Sequence, residues 1–243
     1  MTKSAARARP LKSISNKPIK TEPKLRATAA KPKQGSKSPV GRLVCSPAAK
    51  VGDYSSVPLF LWFPPEDDRT FLAGVLRKTY KEHTNTAAGF IRQKLQPVAP
   101  TNGDEWDPTA ENHDVVLPPG ASDADRNIAA LARRFDAAAL PHKQSLVVYL
   151  TLRFPQDASL QRGWELGRAF ALRNLALKRG LATVVVQHAP HRMGSPNPPH
   201  LHLMILPRRL TSLGFGVFDD SITNDDGLEQ LHSEWVRFLK RWG

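Results

Sequence analysis

The chain has 243 residues, enough for one sizeable core or two small ones. Its single cysteine, Cys45, excludes an internal disulfide scaffold and a CxxC-type zinc ribbon, as fits a reducing compartment. No apolar run reaches about 18 residues, and the basic start is not followed by an apolar signal core, so a soluble intracellular protein with no membrane partner is expected. The formal net charge is +13, yet residues 1–50 hold 13 Lys and Arg against one acid, Glu22, and the rest is close to neutral. Residues 1–52, rich in Lys, Pro, Ser and Ala, bury too little to offset chain entropy and read as a disordered polycationic arm suited to nucleic-acid phosphate.

A domain is expected over 55–243. Val57 to Phe63 is a compact apolar run closed by Pro64-Pro65, as a short buried strand would be. Glu66-Asp67-Asp68 places acids where a helix would start, predicting a helix to about Tyr80, and a second helix is predicted over Thr86–Leu95. Residues 97–112 carry turn residues without periodicity and read as a loop. Val115-Val116-Leu117 stops at Pro118-Pro119-Gly120, and Ser122 with Asp125 opens an Ala-rich helix to about Leu140.

Ser145–Phe154 is a strand ended by Pro155, and Ser159–Lys178 a long helix closed by Gly180. Leu181–His188 and His200–Leu206 read as strands joined by a turn-rich connection, an antiparallel hairpin spanning 181–208. Leu228, Leu231, Trp235, Phe238, Leu239 and Trp242 form one apolar stripe on a C-terminal helix over 225–242.

Four of the eight histidines fall in this hairpin: His188, His191, His200 and His202. Strand alternation puts His200 and His202 on one face, with Leu201, Leu203 and Ile205 on the other for the core. With His188 at the end of the neighbouring strand, three imidazoles converge as a metal site with positions left open. His191 is an alternative ligand or a supporting group.

The run Thr183–Arg209, TVVVQHAPHRMGSPNPPHLHLMILPRR, resembles the third motif of MobA/MobL-type conjugative relaxases: an apolar strand, a histidine, a Gly/Asn-rich loop, His-x-His and a closing arginine. The preceding strand to Phe154-Pro155 and the helix after it follow the same order, and fainter similarity reaches back to about His83. The resemblance implies an α+β fold of the HUH endonuclease type, a central antiparallel sheet with flanking helices, behind the basic tail. It implies a divalent ion, Mg or Mn, on His188, His200 and His202, DNA contacts from Arg208 and Arg192, and a tyrosine that nicks single-stranded DNA at a plasmid transfer origin. Implied partners are that DNA and relaxosome or coupling proteins in the bacterial cytoplasm.

This sequence departs from the pattern in two places. Where relatives carry tyrosine in an Ala-Ala-Tyr-Ile-x-Arg context, it has Ala87-Ala88-Gly89-Phe90-Ile91-Arg92, and phenylalanine has no nucleophilic oxygen. Tyr80 on the predicted helix is then the candidate nucleophile, with Tyr54 and Tyr149 read as structural. The strand that carries acids in relatives offers Tyr149, Thr151 and Arg153 instead. The two functions implied are a nicking relaxase and a catalytically inactive DNA-binding accessory protein.

Overall fold

The computed structural model describes residues 41–45, 59–65, 68–80, 83–100, 103–155 and 157–242. The strands are β1 (Val44–Cys45), β2 (Leu59–Trp62), β3 (Phe71–Arg77), β4 (Thr79–Tyr80), β5 (His83–Thr84), β6 (Asn112–Val116), β7 (Ser145–Arg153), β8 (Leu181–His188), β9 (His200–Thr211) and β10 (Gly214–Phe218). The helices are α1 (Ala87–Leu95), α2 (Ile128–Ala137), α3 (Leu160–Phe170), which runs on as a π-helical stretch through Leu177, and α4 (Asp225–Trp242). Eight strands form one antiparallel sheet, seven in the order β1-β2-β3-β7-β9-β8-β6 and β10 paired with β9 off that path, and β4 and β5 form a separate two-stranded ribbon. The α+β class with an antiparallel sheet and flanking helices is as the sequence led us to expect.

The sheet is covered on both faces, which is why its central strands β7, β8 and β9 are nearly continuous apolar runs rather than alternating ones. On one face, Leu150, Leu152, Leu201 and Leu203 meet Phe170, Trp235 and Phe238 of α3 and α4. On the other, Val147, Tyr149, Val186 and Met204 meet Phe90, Leu131 and Phe135 of α1 and α2. Close approach of α3 depends on Gly167, where a Cβ would lie 2.1 Å from Leu201 Cδ1. The helix from Ser159 ends at Gly180 (φ 72°), a left-handed turn that glycine adopts without strain.

Three expectations are corrected. The helix predicted from Glu66 to Tyr80 is strand β3 over Phe71–Arg77, because a strand flanked by β2 and β7 and buried on both faces needs an unbroken apolar run. The acid read as a helix start instead closes a turn: Asp68 Oδ1 accepts from Thr70 N (2.8 Å) and Thr70 Oγ1 (2.6 Å), and its Oδ2 lies 2.9 Å from His232 Nε2. Most of the predicted arm, residues 1–52, lies outside the described residues, but residues 41–45 belong to the fold. There Val44 pairs with Leu61, Cys45 with Phe60, and Leu43 N donates to Asp225 Oδ1 at 2.8 Å. The fold therefore begins before residue 55. Strand β9 also runs to Thr211 and turns into β10, which the short, Gly-rich Gly214–Phe218 segment did not announce.

Candidate metal centre

The strand register builds the site in rows. Directly opposite residues of antiparallel strands share a face, so Arg153, His200 and His188 form one row across β7, β9 and β8, and Thr151, His202 and Val186 form the next. His188, His200 and His202 are thus brought together as expected, with ligand nitrogens all within 4.8 Å of one another. Their rings meet edge to face at centroid separations of 5.3, 4.5 and 4.7 Å.

The atoms behind each imidazole fix which nitrogen faces inward. His188 Nε2 lies 2.7 Å from the Lys94 carbonyl, one of the last carbonyls of α1 and without a helical partner. A carbonyl only accepts, so Nε2 carries the proton and the Nδ1 lone pair is free. His200 Nδ1 likewise donates to the Pro198 carbonyl at 2.9 Å, which frees Nε2. His202 Nδ1 lies 2.7 Å from the Tyr149 hydroxyl and 3.3 Å from Thr151 Oγ1, while its Nε2 is 3.2 Å from His188 Nδ1. Each imidazole therefore has a polar group behind it to hold its orientation, the arrangement that metal-ligating histidines use. Tyr149 and Thr151, two of the residues this strand offers in place of acids, support His202.

Burial keeps the cluster neutral. It pushes His188 down to about 4 and lowers His200, and His202 falls well below the ordinary histidine range, first through burial and then through its neighbours His188 and Lys94. Neutral imidazole is the ligating form, so protons should not compete with a metal until well below pH 6.5. Mn2+ affinity measured by calorimetry is accordingly expected to begin its loss at a lower pH than ordinary imidazoles, which titrate near 6.5, would give. A loss that sets in already at pH 6.5, as for unperturbed histidines, would contradict it. The same depression means that the unfolded chain takes up protons which the folded chain refuses. Stability is therefore expected to fall as pH drops from about 6.5 towards 4.

Lys94 is a site residue that sequence reading missed. Its ammonium lies 5.5 Å from the ring centres of both Phe90 and Tyr149, burial lowers its pKa, and its charge acts on all three histidines. The available signal was its place four residues after Phe90, on the same side of α1. Arg153, beside His200 in the row, adds a second cation that the histidines feel. Among the described residues, no carboxylate joins the metal-ligand cluster.

The other predicted site residues separate. Phe90 is buried, edge-on to Tyr149 at 5.3 Å, and Tyr149 in turn stacks on His202 at 5.2 Å. Tyr80 is not brought to the histidines. It follows the Arg77 end of β3, opposite Ser145, whereas the His202 row meets β3 at Leu72, roughly 16 Å away along the strand; its ring packs edge-on against Phe60 at 5.4 Å. Tyr54 lies outside the described residues. His191 sits on the turn Pro190–Met193 and does not join the cluster. Arg192, on the same turn, is half-exposed and pairs with Glu111. Arg208 is turned inward, its Nε donating to the Gly216 carbonyl (2.9 Å) and its terminal nitrogens to the carbonyls of Phe215 (2.6 Å) and Ala138. It ties β9 to β10 and α2 through all three of its nitrogens.

A divalent ion fits this donor set. Two lone pairs are held facing inward by main-chain carbonyls, and the third can face inward if His202 Nδ1 carries the proton towards Tyr149. Three imidazole donors with no carboxylate suit a first-row transition ion better than Mg2+, which prefers oxygen ligands. Among the described residues, no helix is long and apolar enough to cross a membrane. No family model matches the sequence, and no curated protein matches it significantly. In fold, the chain is similar to a solved structure described as "Molecular Basis of Vancomycin Resistance Transfer in Staphylococcus aureus", with a TM-score of 0.53 and 14% identity over 69% of this chain and 88% of that one.

Proposed function

We propose that this protein binds a divalent cation at His188, His200 and His202 and, with it, single-stranded DNA, as a relaxase-like component of plasmid mobilisation. The observation that carries this reading is the convergence of three neutral imidazoles whose outer nitrogens are held by protein groups. A divalent ion bound there would neutralise charge on a DNA phosphate. Lys94 and Arg153 supply fixed positive charge beside the cluster, which suits a polyanion and would weaken the hold on a bare cation. The fold similarity to the resistance-transfer structure supports the same direction. Transfer-origin DNA and relaxosome or coupling proteins are the corresponding partners.

The site supports binding without a covalent tyrosyl step. Phe90 stands where the family's tyrosine is expected, and the Tyr149 hydroxyl lies against His202 Nδ1, on the side of the ring away from the ligand nitrogen. Burial also pushes the Tyr149 phenol up, keeping it protonated and a poor nucleophile. The second reading, transesterification, is favoured by the completeness of the histidine cluster and would rely on Tyr80 or Tyr54.

The two readings separate on a denaturing gel. Labelled single-stranded oligonucleotides of randomised sequence, incubated with the protein and Mn2+, are expected to be retained on a native gel and to leave no covalent band after denaturation. A covalent band lost in Tyr80→Phe or Tyr54→Phe would overturn the binding-only reading.

A further inference from the structure

The end of α1 that touches the histidine cluster carries a cation with no anion beside it. Lys94 is the penultimate residue of that helix, and its backbone carbonyl accepts from His188 Nε2 at 2.7 Å, so the helix end is anchored on the cluster. Its half-buried side chain runs on the side of α1 that carries Phe90 and brings the ammonium to 5.5 Å from the ring centres of Phe90 and Tyr149. Tyr149 in turn stacks on His202 at 5.2 Å. The lysine is therefore held between α1 and the ligands.

We propose that Lys94 contacts the DNA phosphate bound at the histidine cluster and makes cation binding and DNA binding depend on each other; this rests on the function proposed above.

The charge arrangement supports the assignment. Among the described residues the Lys94 ammonium forms no ion pair or hydrogen bond, and no carboxylate offsets its burial. The rings of Phe90 and Tyr149 offer it only their π faces. Arg153, the other cation beside the cluster, has its Nη1 committed to the Arg69 carbonyl at 3.1 Å. A partly buried ammonium without a counter-ion is unfavourable until an anion arrives. A divalent ion on the three imidazoles meets the opposite situation, since Lys94 repels it. A phosphate oxygen placed between the two answers both charges at once. Each of the two ligands then tightens the other by the same factor.

The test is Lys94→Met, which keeps the apolar stem and removes the charge. By calorimetry with Mn2+ alone, the variant is expected to bind about threefold or more tighter than the wild type, because the repulsion is gone. By anisotropy of fluorescein-labelled dT15 at saturating Mn2+, it is expected to bind about tenfold or more weaker, the scale of a lost charge-assisted hydrogen bond. Loss of packing alone would not move the two affinities in opposite directions. A folded variant whose Mn2+ affinity is unchanged or weaker, or whose dT15 affinity is unchanged, overturns the assignment. Should the variant not fold, the wild type decides. With Zn2+ as a diamagnetic ion, its Lys94 ammonium resonance is expected to shift on adding dT15, and a resonance that stays in place overturns the assignment. Failure of the wild type to bind dT15 with Mn2+ would instead overturn the DNA-binding reading on which the inference stands.

Discussion

A protein carrying His200→Ala and His202→Ala together is expected to lose Mn2+ binding by at least about a hundredfold while keeping its fold, since two of the three ligands disappear. The fold survives because both histidines face the site, whereas Leu201, Leu203 and Ile205, in the core with Trp235 and Phe170, are untouched. The thermal midpoint should still drop. Removing His202 leaves the Tyr149 hydroxyl, 5% exposed, without its imidazole partner, a loss of about 1–3 kcal/mol. Calorimetry reads the metal and circular dichroism the fold. A folded double variant that binds Mn2+ like the wild type would contradict the site.

Arg208→Ala is expected to do the opposite, costing stability and leaving DNA affinity unchanged. The side chain donates to the carbonyls of Gly216, Phe215 and Ala138 and is 8% exposed. Deleting it removes three donors that tie β10 and the end of α2 to β9, for about 1–3 kcal/mol, since water reaches the partly exposed carbonyls left behind. Denaturant unfolding and DNA anisotropy across a salt series test this. A stable variant whose log-affinity against log-salt slope became shallower would instead make Arg208 a phosphate contact.

Arg208 also shows where sequence reading reaches its limit. The motif placed an arginine at the end of the His-x-His strand, but only the β9–β10 turn, invisible in a short Gly-rich segment, determines that it points inward. The histidine cluster was legible because strand alternation fixes the faces of His200 and His202, and a hairpin fixes the approach of His188. Its supporting groups were less so. Tyr149 and Thr151 reach His202 through pairing between residues more than fifty apart, and Lys94 reaches His188 from a helix end that no local pattern connects to the hairpin. Strand β3 was misread because a strand buried on both faces has no period-two signature, and the acid before it, Asp68, caps a turn as readily as a helix.

The central claim, that the histidine cluster recruits DNA through a bound cation, is tested most directly by anisotropy of labelled dT15 with and without Mn2+, on the wild type and on the His200→Ala, His202→Ala protein. Wild-type binding should tighten by about tenfold or more on adding Mn2+, as an added divalent charge against phosphate would produce, and the double variant should show no such gain. An equal Mn2+ gain in both proteins, or none in the wild type, would contradict it.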